Sequence, residues 1–281
     1  MSLISGSLID RYSAGPSKER SRQVKSMHEA IRKALDESSF SYETFLQGSY
    51  RNDTAIADIN DVDIVALRKY SSAPQSHDDW FWDFNQIVNT LRDSWRISGT
   101  VRRGDKCVTV SSTVKADVVP SLNSGDWEKD PTVMYSIRDR SERKNYPRRH
   151  YRNGVKKQEA TDQAYKATVR LFKRWIRQYS SLFAPSFYIE SVVHSVSSVW
   201  FDSYLPRSFR DVSRRISEYP TSKVIYTVAG DKDILVPSEW PASDFVKFQE
   251  KLRSDATLVT SAMGATTVSE ADRLWKLAFG D

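Results

Sequence analysis

The stretch QGSYRNDTAIADINDVDIV, positions 47 to 65, leaves this chain few folds to choose from. It reads as a Gly-Ser loop opening a short helix, followed by a strand that begins with two carboxylates. Gly48 has no Cβ, so backbone N–H groups there can approach a phosphate closely. Ser49 adds a hydroxyl donor, and the helical turn after it points free N–H groups at the same spot. Asp61 and Asp63 open the β-branched run DVDIVAL, which has strand character. The period of two puts both carboxylates on one face and Val62 and Ile64 on the other. Two hard oxygen ligands beside a phosphate loop suit Mg²⁺ shared between protein and nucleotide.

Alone, a GS pair is usually a turn and a DxD usually a solvated loop or a cap. Together, with Asp61 twelve positions after Ser49 and entering an apolar strand, they resemble the polymerase-β-like nucleotidyltransferase superfamily. That pattern asks for a third carboxylate on a neighbouring strand. VKADVVPSL supplies Asp117; the plain alternative is an edge-strand aspartate facing water.

Composition narrows the classes further. A chain of 281 residues holds one large domain or two small ones, and 8 Trp, 13 Tyr and 12 Phe provide an ample core. The net charge of +6 favours anionic partners without choosing between nucleotides and nucleic acid. A single cysteine, Cys107, excludes an internal disulfide and a cysteine cage for metal, and reads as a buried strand thiol. No run approaches the ~20 apolar residues of a membrane span. The N-terminus lacks a signal-peptide pattern, so a cytoplasmic protein without membrane contact is expected.

After a loose start, helical spacing of Val24, Met27, Ile31 and Leu35 predicts a helix over 17–38, with His28 as a packing histidine. YETFLQG and DVDIVALRKY read as strands, and the polar stretch SSAPQSHDD as a connector. A helix over 80–95 carries Trp80, Phe84, Ile87, Val88, Leu91 and Trp95 on one apolar stripe. KCVTVSS and VKADVVPSL are the next strands. Positions 138 to 157 hold nine Lys or Arg against two acidic residues and read as a surface loop, or as the border of a triphosphate cleft. There His150 and Asn153 can reach a base edge. A helix over 161–179 has a core stripe and an adjacent basic stripe of Lys166, Arg170, Lys173 and Arg177. Lys173, one residue past Phe172, sits about 100° from the core stripe. PSFYIESVVHSV starts another helix, with Pro185 in its first turn, Ser186 as a candidate cap and His194 in the core. Three more helices complete the chain, and DKDIL at Asp231 is a loop without a GS partner.

In order and wording, GS, DVD, ADVVP, NYPRRHYRNG, LFKRW and PSFYIE are similar to the bacterial cGAS/DncV-like nucleotidyltransferases over residues 40 to 200. LFKRW and PSFYIE resemble the branch that also holds the oligoadenylate synthases and cyclic GMP–AMP synthase. The resemblance implies an α+β polymerase-β-like core sheet with a C-terminal helical domain and the active site in the cleft between them. It implies domains at 1–158 and 159–281, the N-terminal helix packing across both. Asp61, Asp63 and Asp117 would be catalytic and hold two Mg²⁺ ions, with Mn²⁺ as a substitute. Gly48 and Ser49 would bind the β/γ phosphates, Lys173 would pair with the triphosphate, Ser186 would hydrogen-bond it and Phe187 would stack on the donor base. Gln47 and Arg51 would flank the loop, touching phosphate or acceptor. Apart from the resemblance, the amides of Asn153 or Gln158 can offer paired contacts to a base edge and so bear on base choice, ordinary loop polarity being the alternative. Expected partners are ribonucleoside triphosphates, with nucleic acid optional and proteins of a defence operon alongside. The implied activity is a cyclic di- or trinucleotide synthase of anti-phage signalling. The rival readings are template-independent transfer to an RNA end or a protein target, and a non-catalytic nucleotide sensor.

Overall fold

Alternation along DVDIVALR decides which side of the sheet meets helices. In the computed structural model, residues 2–40, 42–59, 61–68, 76–123 and 131–281 are described. Lys69, Tyr70 and the connector residues 71–75 lie outside them. Along the chain run helices α1 (Gly6–Ser13) and α2 (Lys18–Asp36), strand β1 (Tyr42–Gln47), the short helix α3 (Gly48–Arg51) and strand β2 (Asp61–Arg68). Helix α4 (His77–Asp93) precedes β3 (Thr100–Arg103), β4 (Val108–Ser111), β5 (Lys115–Asn123), β6 (Thr132–Ser136) and β7 (Ser141–Asn145). Then come α5 (Pro147–Glu159), α6 (Ala164–Trp175), α7 (Ser186–Ser195), α8 (Leu205–Ser217), α9 (Ala242–Gly264) and α10 (Val268–Ala278).

All seven strands form one sheet, with the path β1-β2-β5-β4-β3 and β6 and β7 added through β5. The central pair, β2 and β5, is parallel; its neighbours β1 and β4 are antiparallel to it. Val62, Ile64, Ala66, Ala116 and Val118 point to one side, where they pack with Val24, Ile31 and Leu35 of α2 and Phe84, Ile87 and Leu91 of α4. Ser17 caps α2 by accepting the N–H of Arg20, and Ser76 with Asp79 makes a reciprocal cap on α4. The acidic residues of β2 therefore face away from this core. The fold is the expected mixed α/β sheet with a C-terminal helical part.

Two compact units divide the chain. One comprises Pro16–Asn52 and Ala57–Arg149 and holds the sheet; the other comprises Met1–Gly15, Asp53–Ile56 and His150–Asp281. The second has its own core around Phe172, Trp175, Phe209, Trp240, Phe248 and Trp275. The last change of unit along the chain falls between Arg149 and His150, so most of α5 belongs to the helical unit. His150 bonds Glu190, Asn153 donates to the carbonyl of Val228, and Lys157 donates to that of Val196.

Several local expectations need correction. The charged stretch 138–157 is strand β7 and helix α5; it lacks an apolar stripe because polar bonds hold it. The loose start contains α1, whose Tyr12 packs on Trp275 and Phe279. Trp95 falls beyond the end of α4 and is 82% exposed, covered on one face by the Arg96 guanidinium. Strands β3 and β6 have no counterpart among the expected strands. His28 is half-buried, its ring pKa lowered first by burial.

One side chain pins the entry to both central strands. The Arg20 guanidinium donates to the carbonyl of Ile59 at 3.1 and 3.2 Å and to that of Thr113 at 2.7 Å. These carbonyls lie two residues before the first residue of β2 and of β5. Arg20→Met is expected to lower unfolding free energy by about 1.5–3 kcal/mol, the usual worth of hydrogen bonds to a charged group. Urea denaturation checks this, and an unchanged midpoint would refute it.

Candidate functional site

Parallel pairing of β2 with β5 sets Asp63 directly opposite Asp117 and Asp61 directly opposite Lys115. Because side chains alternate, all four lie on the face turned from the helical core. Burial raises the Asp63 carboxyl to about 6, and the nearby charges of Asp61 and Asp117 add to the rise, while Lys115 opposes it. The Lys115 ammonium bonds Asp117 Oδ2 at 3.1 Å and lies 3.7 Å from Asp61 Oδ2. Thr109 of β4, register partner of Asp117, donates its hydroxyl to Oδ1 at 2.7 Å. The hydrogen bond to Asp117 raises the Lys115 pKa above the ordinary lysine value, so the ammonium stays charged. Cys107 is half-buried, and its thiol is pushed up to about 11 by burial and then by Asp117. It is not a thiolate nucleophile.

Among the described residues, no three His, Cys, Asp or Glu side chains are already arranged to hold a metal ion. The donor set nevertheless fits one. Two facing carboxylates and a third two residues away are hard oxygen ligands, and an ammonium sits among them. The metal-ligand roles of Asp61, Asp63 and Asp117 thus rest on chemistry and register.

Strand β1 delivers the Gly-Ser turn to the same place, since Gln47 at its end is the register partner of Asp63. The Gln47 side chain is buried and accepts a hydrogen bond from Asn145 at 2.9 Å, a structural engagement. Gly48 has φ +66°, and a Cβ there would lie 2.1 Å from Asp63 Oδ2. Only glycine meets both conditions. Ser49 and Arg51 lie in α3, half-buried and exposed respectively.

Lys173, Ser186 and Phe187 belong to the other unit. Lys173 is 6% exposed, and its ammonium bonds Glu190 Oε2 at 2.9 Å and Thr54 Oγ1 at 3.1 Å. Glu190 also accepts from Thr54 at 2.8 Å and meets His150 Nε2 at 2.8 Å. Burial pushes the Glu190 carboxyl up, but Lys173 and His150 outweigh it and hold it below the ordinary range. Two more residues of the basic stripe serve the same segment: Arg170 donates to the carbonyls of Ser13 and Asp53, and Lys166 lies 3.7 Å from Asp53. Lys166, Arg170 and Lys173 together fasten Ser13, Asp53 and Thr54 to α6. Ser186 is the exposed first residue of α7, whose cap position is Pro185. Phe187 is 43% exposed with its ring 5.7 Å from that of His150. Asn153 and Gln158 spend their amides on backbone groups, Asn153 on Val228 and Gln158 on Gln163 and Lys166. His194 is half-buried, its ring lowered to about 4 by burial.

Sequence reading missed Lys115, Thr109 and Glu190. The period of two could have found Lys115 beside Asp117; nothing local marks Thr109 or Glu190.

These charges have two measurable consequences. In metal-free protein, folded Asp63 keeps its proton up to about pH 6, whereas the unfolded chain releases it near 3.8. Stability therefore falls as pH rises from about 4 to 6, by about 1–3 kcal/mol from this group. Asp63→Asn should remove that slope and be the more stable protein at pH 7. Denaturation in EDTA at four pH values tests it, and parallel profiles would sink it. Lys173→Met strips a buried carboxylate of a cation and should cost about 3 kcal/mol. A change below ~0.5 kcal/mol in calorimetry would show that Glu190 does not depend on Lys173.

A family model for the Second Messenger Oligonucleotide or Dinucleotide Synthetase domain matches residues 11–151. The cGAS/DncV-like nucleotidyltransferase C-terminal helical domain matches 152–256. The chain is 29% identical over 266 residues to a cyclic UMP-AMP synthase of Rhodothermus marinus, covering 82% of this chain and 91% of that one. It is 25% identical over 288 residues to a cyclic AMP-AMP-AMP synthase of an Acinetobacter species, covering 95% and 81%. The solved structure of the R. marinus c-UMP-AMP synthase CdnE with Apcpp and Upnpp superposes with a TM-score of 0.70 at 26% identity, over 89% of this chain and 97% of that one. With one domain model spanning half its length and the second continuing from it, this chain belongs to the cGAS/DncV-like nucleotidyltransferases.

Proposed function

We propose that the protein joins ribonucleoside triphosphates into a cyclic di- or trinucleotide messenger, and that it does so in anti-phage signalling. The observation that carries the reading is the register of Asp63 opposite Asp117, with Asp61 on the same face and Gly48 against Asp63. The named synthases among the relatives make cyclic dinucleotides or trinucleotides, which supports the product class. Members of the family are generally metal-dependent. Asp61, Asp63 and Asp117 would hold two Mg²⁺ ions, which supply charge neutralisation at the α-phosphate and a lower pKa for the attacking hydroxyl.

The chain's own groups do the rest. Backbone N–H groups at Gly48 and the Ser49 hydroxyl bind the β/γ phosphates, with Gln47 and Arg51 flanking them. Asp117 accepts the proton of the acceptor ribose hydroxyl as its oxygen bonds the α-phosphorus and the bond to pyrophosphate breaks. Ser186 hydrogen-bonds triphosphate, and Phe187 offers an exposed ring for a base to stack on. Lys173 pairs with the triphosphate in this reading only by turning from Glu190. Repeating the transfer on the linear product, with one pyrophosphate released for each bond formed, closes the ring.

Incubating the protein with the four ribonucleoside triphosphates and Mg²⁺, with mass spectrometry and nuclease mapping of the products, tests this. A nuclease-resistant cyclic product is expected from the wild type and none from Asp61→Asn combined with Asp63→Asn. Product from the double variant would refute the metal assignment. Extension of an added RNA oligonucleotide in preference to cyclic product would refute the synthase reading.

A further inference from the structure

Lys115 has no place in the chemistry above, yet it stands in the middle of it. It faces Asp61 across the β2–β5 ladder and sits two residues before Asp117 on the same face. Its ammonium lies 3.1 Å from Asp117 Oδ2 and 3.7 Å from Asp61 Oδ2, so one positive charge bridges two of the three carboxylates. With Thr109 on Oδ1, both oxygens of Asp117 are engaged. The side chain is 44% exposed, so the ammonium can withdraw into water without disturbing packing.

A cation is needed there. The β2–β5 register brings three carboxylates to one patch, where like charges repel one another. A divalent ion and an ammonium answer the same repulsion, and they need the same oxygens. Asp117 cannot offer Oδ2 fully to a metal while that oxygen accepts from Lys115. A lysine in that position competes with a metal ion for the same oxygens.

We propose that Lys115 is a built-in counter-cation of the acidic site: it occupies Asp61 and Asp117 in the metal-free protein and is displaced when a divalent ion binds, which sets the metal concentration at which the site fills. This rests on the reading of Asp61, Asp63 and Asp117 as metal ligands. Lys115 is a positioning residue, acting on the carboxylates.

The test measures binding, independent of catalysis. Mn²⁺ titration calorimetry on the nucleotide-free full chain should give an affinity about tenfold tighter for Lys115→Met than for wild type, because a unit charge a few ångströms away is removed. Lys115→Arg, which keeps the charge, should remain near wild type. The wild type alone provides a second measurement. Saturating Mn²⁺ should raise acetylation of Lys115 by an amine-reactive ester several-fold, read by mass spectrometry against the exposed Lys25 of α2. Equal or weaker Mn²⁺ binding by Lys115→Met overturns the inference, as does unchanged acetylation of Lys115. If Asp61→Asn combined with Asp63→Asn abolishes Mn²⁺ binding while Lys115→Met leaves it unchanged, the metal site stands and only the counter-cation falls. Absence of aspartate-dependent Mn²⁺ binding by the wild type overturns both.

Discussion

Crowding of like charge is the constraint on which the sheet unit depends. Setting Asp63 opposite Asp117 on a parallel ladder, with Asp61 next to it, brings three anions to one patch of partly buried surface. The cost shows in Asp63, whose carboxyl is raised to about 6 by burial and by the other two. Everything around the patch answers that cost or fixes its geometry. Lys115 supplies positive charge, Thr109 supplies a donor, and Arg20 ties the carbonyls of Ile59 and Thr113 that lead into the two strands. Gly48 allows the turn after β1 to pass against Asp63, where any side chain would collide. An acidic patch of this kind is costly as a resting state, and a cation bound there would relieve that cost.

The helical unit depends on a different buried charge. Glu190 is enclosed, and an uncompensated carboxylate there would cost several kcal/mol. Lys173, His150 and Thr54 all turn toward it. Those partners come from α6, from α5 and from the segment that directly follows α3 in the chain. One carboxylate therefore fixes three pieces of backbone, and Arg170 repeats the device by binding the carbonyls of Ser13 and Asp53. A buried polar network whose members are hydrogen-bonded to one another rigidifies its surroundings and favours one arrangement.

The basic residues are reassigned as a result. A net charge of +6 and a stripe of Lys166, Arg170, Lys173 and Arg177 suggest a surface awaiting phosphate. Three of the four spend their charge on Asp53, Glu190 and backbone carbonyls inside the helical unit. Likewise the charged stretch 138–157 is ordered by individual bonds from Arg148 to Glu43 and from His150 to Glu190. Excess charge alone does not identify an anion site.

What the sequence determined by itself was what local period and spacing encode. DVDIVALR had to put Asp61 and Asp63 on one face, the stripes of α2 and α6 had to be helical, and the Gly-Ser pair had to turn. These features arise from backbone geometry and burial within a few residues. Resemblance to the polymerase-β-like nucleotidyltransferase superfamily supplied Asp117, which no local pattern could have joined to Asp63. Only tertiary structure decided the β2–β5 register, and with it that Lys115 stands opposite Asp61. Only tertiary structure turned Lys173 toward Glu190, seventeen residues along and one helix away. Strand pairing and buried ion pairs bring together residues distant in sequence, and their energies depend on neighbours that a single stretch of chain does not contain.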